Sequence, residues 1–158
     1  MSRASPSPAR PRRLRRIAPV CLLVGLAAAG ATAAQTVAIE VRIILASNDP
    51  RGGIDAGLGS LAPQLRQTLG YTSYQLLNAL VGEVAPDRPW RTMVPGGRSL
   101  EIAMPGTPGR GIALLVRMSA GASPLVNTTV RLARGGPPVL VGGPPFQSGV
   151  LLIAISAR

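Results

Sequence analysis

The sequence contains no histidine and no lysine, and a single cysteine, Cys21. Each absence removes a class of chemistry. Without histidine there is no Ser-His-Asp triad and no imidazole ligand for a metal. Without lysine there is no Ser-Lys pair. Cys21 lies in an apolar run near the N-terminus, and no other residue could supply a thiolate nucleophile, a disulfide or a sulfur ligand. Aromatic side chains are scarce: only Tyr71, Tyr74, Trp90 and Phe146 are present. That leaves no series of stacking platforms for single-stranded nucleic acid. A paired-carboxylate glycosidase would need a similar platform beneath its sugar. The six acids are Glu40, Asp49, Asp55, Glu83, Asp87 and Glu101, and nothing in their spacing marks a catalytic pair. Neither an enzyme nor a cofactor or metal site is expected.

All seventeen basic residues are arginine, against six acids. Six of the arginines precede Ile17, in MSRASPSPARPRRLRR. Eleven then remain against six acids, a net charge of 11 − 6 = +5. This is a modestly basic domain, suited to weak attraction to anionic envelope surfaces rather than to nucleic-acid binding.

Residues 1–34 read as a signal peptide. Arg10, Arg12, Arg13, Arg15 and Arg16 form a cationic start, and Ile17–Gly30 an apolar run short of a membrane span. Ala31-Thr32-Ala33 fits the small-x-small cleavage rule, with Thr32-Ala33-Ala34 as a rival. The competing reading is an uncleaved anchor. Residues around Arg12-Arg13 and Arg15-Arg16 fit twin-arginine export poorly, and Ala18-Pro19-Val20 is a poor lipidation box before Cys21. Export to the periplasm, outer membrane or exterior is expected, with no stable membrane span after cleavage.

Residues 35–158 read as one β-rich domain. In TVAIEVRIILA (Thr36–Ala46), Val37, Ile39, Val41 and Ile43 share one face of a strand. Ser47–Gly59 is a loop rich in turn formers. Ser60–Leu69 is the one helix expected. Ser60 would cap it, Pro63 sits in its first turn, and Gly70 would end it with positive φ. Leu61, Leu65 and Leu69 form its apolar stripe. Tyr71–Ala85 mixes helix and strand signals; Gly70 before it and the alternation of Val81–Val84 favour strand. Beyond it, WRTMV, RSLEIAM, IALLVRMS, LVNTTVRLA, VLVGG and VLLIAIS are short strands cut by Gly and Pro. The fold class is mainly β: an antiparallel sandwich or open barrel with one short helix. The last strand, Gly149–Ala157, is apolar on both faces and should be central or covered.

Several motifs reduce to turns. Asn48–Asp55 lacks the alternating oxygen ligands and closing glutamate of a calcium loop. The glycine pairs at 52–53, 96–97, 135–136 and 142–143 lack the lysine of a phosphate loop. Trp90 is expected in the core. Asn127-Thr128-Thr129 matches a glycosylation sequon, but ordinary strand polarity explains it.

Asn127–Gly143 reads as a hairpin joined by Arg134-Gly135-Gly136-Pro137-Pro138. Asn127, Thr129 and Arg131 would lie on its outer face, with Arg134 in the turn, and these four are the candidate partner-binding residues. Pro137 and Pro138 donate no backbone hydrogen bond, which suits an edge. Thr128, Thr129, Val130, Gly135, Gly136, Val139, Val141, Gly142 and Gly143 resemble the C-terminal part of the secretins, outer-membrane channels of secretion and pilus systems. VAIEVRIILA resembles the segment that opens their conserved domain. PPFQSG stands where a secretin has its Pro-rich segment, and the chain is shorter than a full secretin core. Leu69–Tyr74, Pro95–Ile102 and Asn127–Leu132, in this order, resemble small exported bacterial proteins of unassigned function. These resemblances imply export and a β-rich domain; an envelope partner, such as a secretion or pilus complex, is expected because such domains associate through exposed sheet edges. The leading expectation is a structural or protein-interaction domain; the alternative is a sandwich that binds a glycan or lipid.

Overall fold

The computed structural model describes residues 35–106 and 111–158. The expected signal peptide therefore lies outside the described residues. Eight strands follow one another: β1 (Val37–Ser47), β2 (Ser73–Val84), β3 (Trp90–Val94), β4 (Arg98–Ala103), β5 (Ile112–Ala120), β6 (Ser123–Leu132), β7 (Val139–Phe146) and β8 (Gly149–Ala157). The helix α1 spans Ala62–Thr68.

The strands form two antiparallel four-stranded sheets. Sheet 1 has the order β2-β1-β8-β7 and sheet 2 the order β3-β4-β5-β6. Every ladder thus joins strands next to each other along the chain, with β8 returning to β1. The chain changes sheet twice, from β2 to β3 and from β6 to β7. At those two seams the ladder is interrupted, so a circular meander is left open as two layers and no barrel closes.

Alternation explains the main core. Val37, Ile39, Val41 and Ile43 point from β1 toward Leu100 and Ile102 of β4 and Ile112, Leu114, Val116 and Met118 of β5. All are buried. From Ile44 onward β1 is buried on both faces. Ile44 and Ala46 continue the outward phase of Glu40 and Arg42 and are covered there by a second layer; the extra residue of the bulge opposite them, Leu77, lies on β2. As expected, β8 is interior, between β1 and β7, with Leu151–Ile155 buried throughout.

The second layer is α1 with the short 3-10 turn Ala56–Leu58. Leu58, Leu61 and Leu65 pack on Ile44, Ala46, Leu152, Ala154 and Tyr74, covering part of the outer face of sheet 1. A helix of seven residues cannot stand alone, so this packing is what orders it. Its ends differ from expectation. The N-cap position is Leu61, with no side-chain cap. Ser60 instead accepts a hydrogen bond from Arg42 Nη1 at 3.1 Å. The helix ends at Leu69 in extended conformation, and Gly70 is not among the positive-φ glycines. The Leu69 amide already closes the helix by bonding the Leu65 carbonyl, so no left-handed residue is required.

The larger correction concerns Asn127–Gly143. It is not a hairpin: β6 pairs with β5 in sheet 2, while β7 pairs with β8 in sheet 1. The segment between them carries the chain from one sheet to the other. Gly135, at φ 65°, makes the turn, and its amide bonds the Ala157 carbonyl at 3.0 Å. Pro137 and Pro138 have no amide to start a ladder with β6. The expected edge character of the later strand is observed, since β7 borders sheet 1.

Candidate functional site

The outer face of sheet 1 is partly roofed by α1; the outer face of sheet 2 has no covering element among the described residues. Cross-strand register decides what that open face displays. Arg91 on β3 stands opposite Glu101 on β4, Glu101 opposite Arg117 on β5, and Arg117 opposite Asn127 on β6. One polar row therefore crosses all four strands. Glu101 accepts from Arg91 Nε at 2.5 Å and from Arg117 Nη1 at 3.4 Å. One row along, the hydroxyls of Ser99 and Ser119 are 2.8 Å apart. Beside them β6 bulges at Leu125, opposite Met118 and Ser119, next to a depression of about 290 Å³. Arg91, Arg117, Ser119, Pro124 and Asn127 border it.

The Arg91 and Arg117 side chains are 71% and 54% exposed. Ion pairs this open contribute at most about 1 kcal/mol. The row therefore does little for the fold, and its arginines keep donors facing outward. Counting Arg131, also exposed, the face carries three arginines against Glu101.

Sheet 1 has its own polar group. Glu40 accepts from Arg42 Nε at 2.8 Å and from the Arg158 guanidinium, while Arg42 reaches Ser60. This group ties β1 to the C-terminal residue and to the start of the helical layer. Its bonds to Ser60 and to Arg158 make it a fastening of the fold.

Both carboxylates are held below the usual range. For Glu101 the main cause is the hydrogen bond from Arg91; for Glu40 it is the bond from Arg158; burial opposes both. A folded-state pKa below the unfolded value stabilises the fold above the unfolded pKa. That contribution is lost as pH falls through the folded value. Melting temperature should accordingly fall on acidification below the ordinary carboxylate range. The Glu40→Gln, Glu101→Gln double variant should show a shallower acid limb than the parent. Equal slopes would mean that neither pair is retained in solution.

Asn127, Thr129 and Arg131 are exposed on the outer side of β6, as expected from alternation. Sheet 2 brings them together with Arg117, Leu115 and Ala113, their partners in register. Arg134 does not join them; it lies beyond the strand, bridged to Ala157 of sheet 1. Arg91, Glu101 and Arg117 were missed by sequence reasoning. The available signal was their outward phase in alternating strands, and only register shows that they meet.

The two seams between the sheets are unequal. At β2/β3 the Trp90 indole lies where a Cβ on Gly82 would stand. Half-buried Trp90 thus packs against the main core, in line with the expected core role. At β6/β7 a groove of about 370 Å³ remains, lined by Leu125, Val126, Thr128 and Val130 on one side and Leu140 and Val141 on the other.

Among the described residues no three His, Cys, Asp or Glu side chains could hold a metal ion, and no helix is long and apolar enough to cross a membrane. No protein-family model, curated protein or solved structure matches the chain.

Proposed function

We propose that this chain is an exported protein-interaction domain of the bacterial envelope, with the outer face of sheet 2 as its docking surface. One observation carries the reading. The helical layer roofs sheet 1, whereas sheet 2 leaves open a face crossed by the Arg91–Glu101–Arg117–Asn127 row. The fold needs little from that row. Three arginines against one carboxylate favour an acidic partner, and a secretion or pilus component is one candidate. A ligand-binding sandwich is the weaker reading. The space between the sheets is filled by Ile43, Leu100, Val116 and Ile153, each with no exposure, so a glycan or lipid would have to bind outside.

Capture from envelope extract tests the proposal. The Arg117→Ser, Arg131→Ser double variant should keep the parent's circular dichroism and melting curve. It should capture less partner, and the difference should be greatest at low salt. Arg134→Ser is the matched control, because Arg134 lies off this face. Capture by the double variant equal to that of the parent would refute the surface assignment.

A further inference from the structure

We propose that the free edge of β6 takes up an extended segment of a partner polypeptide by strand addition, the segment alternating apolar and polar residues and placing a carboxylate opposite Arg131. This rests on the reading of sheet 2 as the docking face and makes it specific.

The edges differ in what already occupies them. At one end of β2, the Tyr74 amide bonds the Gly53 carbonyl and the Asp55 amide bonds the Tyr74 carbonyl. The Leu76 amide bonds the Asp55 carboxylate. At the other end Trp90 closes over Gly82. β3 has only five residues. β7 carries Pro144 and Pro145 at a break in its register with β8, and prolines cannot donate to a new ladder. β6 has ten residues, with proline only at Pro124, and its second edge has no ladder partner. Beyond the bulge at Leu125, Val126–Leu132 is a regular run of strand without proline, and a free edge of that kind is a template for a further strand.

The side chains define the guest. Asn127, Thr129 and Arg131 face out; Val130 and Leu132 face the core, with half-buried Val126 and Thr128 in the same phase. A strand added to β6 extends these rows by one position, because paired residues share a face. Its inward residues would enter the groove beside Leu140 and Val141, which favours apolar side chains there. Its outward residues would meet Asn127, Thr129 and Arg131 in turn. Each of the ion pairs among the described residues ends on Glu40 or Glu101, and none includes Arg131. A carboxylate opposite Arg131 would therefore gain a pair without breaking one.

The probe is a Gly-Ser-flanked heptapeptide, Val-Glu-Val-Thr-Val-Ser-Val, titrated into the purified protein and followed by amide chemical shifts. An antiparallel guest places its glutamate opposite Arg131. Expected shifts centre on Ser123–Leu132. Lysine in place of that glutamate should weaken binding about fivefold to tenfold, and Arg131→Glu should reverse the preference between the two peptides. Two analogues, N-methylated on the valines or on the intervening residues, separate strand pairing from face docking. Alternate amides of a strand point to opposite neighbours, so one analogue should lose binding. If both bind like the parent peptide, strand addition is overturned while docking on the face stands. Shifts centred on β2 or β7, no binding by any peptide, or a β6-to-β6 dimer in sedimentation would each overturn the proposal.

Discussion

Replacing Leu65 by alanine is expected to lower stability by about 2–5 kcal/mol. Leu65 is fully buried at the centre of the only stripe α1 offers, between Leu61 and Leu69. It sits on Ile44, Ala46, Leu152 and Ala154, which would otherwise face water on sheet 1. The helix is too short to persist without this contact. Truncation would therefore leave a cavity or free the whole layer, and both outcomes are costly. The Tyr74 hydroxyl adds a reporter: it lies 3.1 Å and 3.0 Å from the carbonyls of Leu65 and Leu69 and bonds them. Burial holds its pKa above the usual value. Urea denaturation should show the lost stability, and Tyr74 should titrate nearer the ordinary tyrosine range if the helix lifts. An unchanged midpoint would place α1 on the surface as a passive appendage.

Gly82→Ala is expected to cost about 1–3 kcal/mol, although alanine suits a strand better than glycine does. The added methyl would overlap the Trp90 indole, which packs on the main core at the β2/β3 seam. The indole must move, and the seam it closes must open. Trp90 is the only tryptophan, so its emission reports the event directly. A red shift with a lower melting temperature is expected. A stabilised variant with unshifted emission would mean that Trp90 does not lie against Gly82 in solution.

Much of the fold was legible because alternation and turn chemistry are local. β8 could be placed in the interior from an apolar run with no polar face, and Tyr71–Ala85 could be read as strand from Gly70 and the alternation at Val81–Val84. The outward phase of Asn127, Thr129 and Arg131 followed from the same rule. What could not be read depended on partners distant in sequence. Nothing local says that β6 and β7 border different sheets. Gly135, Gly136, Pro137 and Pro138 serve a hairpin turn or a crossing equally well. Arg91, Glu101 and Arg117 become neighbours only through three strand registers. Ser60 has the chemistry of a cap, but Arg42 on a neighbouring strand takes its hydroxyl. Between the sheets, Arg98 of β4 bonds the Pro145 carbonyl of β7 at 2.9 Å and lies over the Phe146 ring. Arginine at a strand start gives no hint that it will fasten one sheet to the other.

The central claim is that sheet 2, through β6, is where this domain meets its partner. Amide hydrogen exchange resolved by residue, in the free protein and in the captured complex, tests it most directly. Free β6 should exchange at its outward amides faster than interior β8, because that edge has no ladder partner. In the complex, Ser123–Leu132 should gain protection while α1 and the Ala56–Leu58 turn stay unchanged. Protection gained on the helical layer, with β6 exchanging as before, would contradict the claim and assign the docking surface to sheet 1.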